Sequence, residues 1–99
     1  MNELARDDAD EFARWFQCLA DGTRLLVLNT VARAESPMLV GDIVEAVGKS
    51  QSTVSRHLRV LADEGFVFME PDGIRTLVSV NDLCMKELPQ AAALIMASR

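Results

Sequence analysis

Between Asp8 and Leu19 the apolar side chains Phe12, Trp15, Phe16 and Leu19 recur at the three-and-four spacing of one helical face, predicting a first helix over 8–20. The run "ADG" interrupts that pattern, and Asp21 is placed to cap a nearly buried second helix, "TRLLVLNTVARA". Pro37 disfavours helix at Ser36 and ends it there. A short third helix fits Val40 to Val47, with Ile43 and Val47 on one side and Gly48 as a left-handed stop. Ser50 caps a fourth, whose apolar positions Val54, Leu58 and Leu61 lead up to Gly65. Two helices joined by a tight glycine-containing turn have the form of a helix-turn-helix.

After Gly65 the period changes from that of a helix to that of a strand. "FVFME" and "IRTLVSV" are β-branched and aromatic, and "PDG" between them supplies turn chemistry, which predicts a hairpin. A last helix over 82–98 opens on the capping candidates Asn81 and Asp82. Pro89 removes a backbone donor from its interior, so a kink near Glu87 or two shorter helices are expected. The expected fold is mainly α with a small β-hairpin (α+β), a winged helix-turn-helix ordered as four helices, two strands and a final helix. It forms one domain over 1–99.

Ninety-nine residues make a core small enough that dimerisation is an obvious way to enlarge it. No apolar run approaches the roughly 20 residues of a membrane span. The start "MNELARDDADEF" lacks the basic and apolar regions of a secretory signal, so a cytoplasmic location without membrane contact is expected. A net charge of −5 argues against nucleic acid only if it is evenly spread. It is not: residues 49–59, "KSQSTVSRHLR", hold three bases and no acid.

A helix advances about 100° per residue. With Val54 at zero, Leu58 and Leu61 fall within about 40° of it, while Ser55, Arg59, Ser52 and Arg56 spread over about 100° to 200°. Solvated faces commonly mix Glu with Lys, whereas this one combines hydroxyls with guanidinium groups. Arg can bond guanine bidentately and Gln adenine, and Ser and Thr suit phosphates or bases. Lys49, Ser50, Gln51, Ser52, Thr53, Ser55, Arg56 and Arg59 are therefore the candidate DNA-reading set. Arg75 and Thr76 of the hairpin are weaker candidates, because Glu70 and Asp72 near its tip repel phosphate. His57, on the shoulder of the apolar stripe, is expected to pack or to hydrogen-bond between helices.

"CLADGTRLLVL", "LVGDIVEAVGKSQSTVSRHLRVLADEGFV" and "DGIRTLVSV" resemble the ArsR/SmtB family of bacterial winged-helix repressors over about Leu19 to Val80. The resemblance implies a homodimer built from the first and last helices, which places Phe12, Trp15, Phe16, Leu19, Leu94 and Ile95 at the dimer contact. It also implies a DNA operator of two-fold symmetry and repression relieved by an inducer, often a metal or metalloid ion. The chain departs from the family at several points. Gly22 replaces a proline, and Ile74 stands where arginine is common in the wing. The arsenic-binding motif ELCVCDL reads here as Pro37 to Ile43, with Leu39 and Gly41 at its cysteine positions. The zinc-type ligand positions become Asp82, Cys84, Ile95 and Ser98, half a set.

Cys18 and Cys84 remain. Neither lies in a CxxC pair, and no cofactor is needed for folding. In a homodimer of this kind the thiols lie on the dimer helices, and three roles fit them. They can be incidental, bind a soft ion such as arsenite or mercury, or react with an oxidant. The chain lacks Ser/His/Asp spacing, a phosphate-cradling glycine loop and HExxH, so an enzyme is not expected. The alternatives to an inducible repressor are a constitutive one and a winged helix used for protein interaction; the latter predicts acids or bulky apolar groups on the Ser52/Arg56 face.

Overall fold

The computed structural model describes residues 3–97. Five helices, α1 (Arg6–Cys18), α2 (Gly22–Arg33), α3 (Val40–Val47), α4 (Gln51–Asp63) and α5 (Asp82–Ile95), accompany three strands, β1 (Met38–Leu39), β2 (Val67–Asp72) and β3 (Arg75–Val80). The helix starts follow their caps. Asp21 accepts the amide of Arg24 at 3.0 Å, Ser50 that of Thr53 at 3.2 Å, and Asn81 that of Leu83 at 3.1 Å. Gly48 stops α3 in the left-handed region at φ 73°, so only Gly48, Lys49 and Ser50 separate α3 from α4.

The core is one apolar cluster. Val27, Leu28 and Val31 of α2 meet Ile43 of α3, Val54, Leu58 and Leu61 of α4, and Phe66, Val67 and Val78 of the hairpin. Burying a side chain of this size contributes about 1.5–3 kcal/mol. The expected stripe on α4 is the inward one, and each of its three members is fully buried. Asn81 locks the hairpin to the end of α4: its side-chain amide donates to the Gly65 carbonyl and its backbone amide to that of Phe66, both at 2.9 Å.

Three sequence expectations need correction. The hairpin is part of a three-stranded antiparallel sheet in the order β1-β3-β2, because Met38 and Leu39 pair with Val78 and Leu77. Two residues beside Pro37 carry too little alternation to read as a strand. The turn is Gly73-Ile74, since Asp72 pairs with Arg75, and "PDG" is mostly strand. Pro71 is tolerated because β2 is an edge, where a missing donor breaks no ladder. Finally, α5 runs through Pro89 as one helix, losing the amide that would have served the Met85 carbonyl. Ser98 of the expected last helix lies outside the described residues.

The molecule measures 51 × 21 × 21 Å with a radius of gyration of 14.9 Å. A compact chain of about 100 residues has about 13 Å, so this one is elongated. Of the expected dimer set, Phe12 is buried inside the subunit, its ring 5.3 Å from that of Trp15, and Trp15 and Leu19 pack partly on the core. Phe16, Leu94 and Ile95 stand exposed, with Leu83 of α5 and Met96 just past its end.

Candidate nucleic-acid interface

Gln51, Ser55 and Arg59 follow one another at four-residue steps along α4. They line a groove together with Met69, Ile74, Arg75 and Thr76 of the wing and with Leu39 to Asp42. The candidate set therefore divides. Gln51, Ser55, Arg59, Arg75 and Thr76 come together, whereas Lys49, Ser52 and Arg56 are exposed on the adjoining surface outside the groove. Ser50 and Thr53 are committed to the cap: the Ser50 hydroxyl is 2.9 Å from the Thr53 hydroxyl and accepts its amide, with Ser52 Oγ at 3.3 Å. The sequence wheel missed Leu39 to Asp42, Met69 and Ile74, since nothing in α4 signals which strand faces it.

Asp42 is the one acid lining the groove, beside two arginines, Arg59 and Arg75. Ile74 follows the left-handed Gly73, φ 64°, and stands fully exposed at the wing tip. The α4 face with its wing forms a concavity of apolar and polar side chains with two arginines against one acid, a local cationic excess on an acidic protein that suits a polyanion.

Behind this face His57 is buried, at 5% exposure, as the interhelical position expected of it. Arg24 Nε donates to His57 Nδ1 at 3.2 Å, and Arg24 Nη1 donates to the Cys18 carbonyl at 2.7 Å. Asp21 Oδ1 lies 4.0 Å from His57 Nε2. The Arg24 amide bonded to Asp21 holds that carboxyl below its ordinary value, and the Arg24 charge adds to this.

Residues 21–68 match the family described as "Bacterial regulatory protein, arsR family". The chain is 32% identical over 80% of its length to a Methanocaldococcus jannaschii protein named "Uncharacterized HTH-type transcriptional regulator MJ1325", covering 88% of that protein. The chain belongs to the ArsR family of bacterial regulatory proteins. ArsR-family proteins are transcriptional regulators, not enzymes. Over 91% of its length this ArsR-family chain is also 40% identical to a Streptomyces lividans protein named "Probable mercury resistance operon repressor". It spans about two thirds of that relative, 66%. The fold matches the homodimeric winged helix-turn-helix DNA-binding domain of Mb0332 from Mycobacterium bovis with a TM-score of 0.72 at 24% identity, over 96% of this chain and 90% of that one.

Both thiols of this ArsR-family chain are free. Cys18 is buried in the core cluster, its Sγ 3.9 Å from the Val60 carbonyl of α4, and Cys84 of α5 packs against the same cluster. Burial pushes both thiols above the ordinary value of 9.0; for Cys18 the Arg24 charge opposes this, and for Cys84 the charges of Glu87 and Glu11 add to it. A thiol so placed is a poor nucleophile near neutral pH, where the thiolate is the reactive form. Among the described residues no three His, Cys, Asp or Glu side chains gather as a metal site.

Proposed function

We propose that this chain is a sequence-specific DNA-binding regulator, a homodimeric repressor whose α4 enters the major groove of an operator with two-fold symmetry. The observation that carries the reading is the acid-free face of α4, with Arg59 of that helix and Arg75 of the wing lining one groove. Arg56 and Gln51 are the base-reading candidates, Lys49, Ser52 and Ser55 the phosphate-positioning ones. The exposed Phe16, Leu94 and Ile95 on α1 and α5 are the surface we assign to the dimer, whose two recognition helices then lie about 34 Å apart, one turn of DNA. The dimeric state of the Mycobacterium bovis domain and the repressor name of the Streptomyces lividans relative support this reading.

The inducer we assign to Cys18 and Cys84 is a soft thiophilic cation of the mercury or arsenite kind. The name of the Streptomyces lividans relative, which points to mercury, favours this reading over an oxidant. Such an inducer must favour the non-binding dimer by about 1–3 kcal/mol or more. The test is fluorescence anisotropy with the DNA upstream of the protein's own coding sequence, against a scrambled duplex. Equal affinity for the two duplexes at all salt concentrations rules out a sequence-specific regulator. If mercuric and arsenite ions leave the complex intact in wild type, the inducer assignment fails while the DNA reading stands.

A further inference from the structure

We propose that Arg24 and His57 are a positioning pair that aims the recognition helix, tying α4 to the end of α1 through a single guanidinium. The proposal rests on α4 being the DNA-reading helix and names what holds that helix in place.

The geometry is specific in its chemistry. A guanidinium only donates hydrogen bonds, so the nitrogen that receives Arg24 Nε at 3.2 Å, His57 Nδ1, must carry a lone pair. His57 is then the neutral tautomer with its proton on Nε2, the nitrogen that faces Asp21. The same guanidinium donates through Nη1 to the carbonyl of Cys18, the last residue of α1, at 2.7 Å. Its planar fork fixes both acceptors at once, which a lysine ammonium on a flexible stem does not. Arg24 is itself placed by its own backbone amide on the Asp21 cap. Cys18 adds a second, weaker tie, its thiol reaching the Val60 carbonyl of α4. Cys18 at the end of α1 is thus linked to α4 twice, through Arg24 by its carbonyl and directly by its thiol, and any shift of α1 is delivered to the helix that presents Arg56 and Arg59. Apolar packing of Val54, Leu58 and Leu61 holds α4 against the core without directional bonds; the Arg24 bond constrains its rotation.

His57 is the sole histidine, so its ring nitrogens give an unambiguous NMR signal. A long-range nitrogen–proton spectrum of the wild-type protein is expected to show the Nε2–H tautomer, and an Nδ1–H tautomer overturns the proposal. In anisotropy, at a temperature where circular dichroism shows each variant folded, His57→Phe and Arg24→Lys are expected to lose about tenfold in operator affinity, the size expected for a bond to a charged group. Affinity for scrambled DNA stays unchanged. His57→Asn, whose Oδ1 takes the place of Nδ1, restores most of the loss. A folded Arg24→Lys that keeps the wild-type ratio of operator to scrambled binding overturns the proposal alone. Wild-type protein that binds no duplex overturns the DNA reading and this proposal together.

Discussion

Arg59 of α4 and Arg75 of β3 line the same groove, although sixteen positions apart in sequence. The hairpin brings them together because Asp72 pairs with Arg75 across a two-residue turn, so β3 returns beside β2, the strand that packs on α4. A cation from each element makes the groove one electrostatic unit.

Replacing either arginine by alanine should lower affinity for every duplex and reduce the salt slope by about one. Arg56→Ala, outside the groove, should instead cost about 1–3 kcal/mol at one base position and relax specificity there. Anisotropy titrations in increasing salt separate the two classes. An Arg75→Ala variant with the wild-type slope removes the wing from the interface.

Leu94→Glu and Phe16→Glu place a charge among the exposed apolar positions of the terminal helices. Both should shift sedimentation from dimer to monomer and, since each half-site then binds alone, weaken operator binding far more than non-specific binding. Dimeric variants would move the interface elsewhere.

The thiols carry a pH signature. Their values are raised on folding, so their contribution to stability is complete below about pH 9 and is lost as pH climbs through the folded values. Denaturant midpoints should be flat for these groups from neutral pH to about 9 and fall beyond it, and Cys18→Ser should soften that fall. Alkylation of the native protein should be slow at pH 7; labelling at the rate of a free thiol would contradict the burial argument.

Asp21 has the opposite sign. Its carboxyl is held below the ordinary 3.8 by the Arg24 amide, so the stability it adds is present above that value and disappears as pH falls through the folded one. Asp21→Asn should keep the cap and abolish this acid-side dependence, measured as the pH profile of the thermal midpoint.

Pro89 lies inside a continuous helix. Pro89→Ala restores one backbone hydrogen bond and should stabilise the fold, by up to about 3 kcal/mol. A lower melting temperature would mean that the proline shapes α5 for a contact within the dimer.

Local rules settled much of this chain in advance. The caps Asp21, Ser50 and Asn81, the left-handed Gly48, and the apolar stripe Val54, Leu58 and Leu61 were legible because each depends on neighbours within a turn or two of helix. The candidate DNA face was legible for the same reason, since a helix fixes which of its side chains point together. Tertiary structure alone decided the rest. β1 exists only because β3 offers it a partner, and the turn sits at Gly73-Ile74 because strand register, not turn composition, chose it. Phe12 is buried within the subunit while Phe16, four residues on, is left outside. Arg24, unremarkable in sequence, became the bridge between α1 and α4 because three helices converge on it. Periodicity reports a residue's angle on its own element; which element lies across from it is set by long-range packing of the whole core.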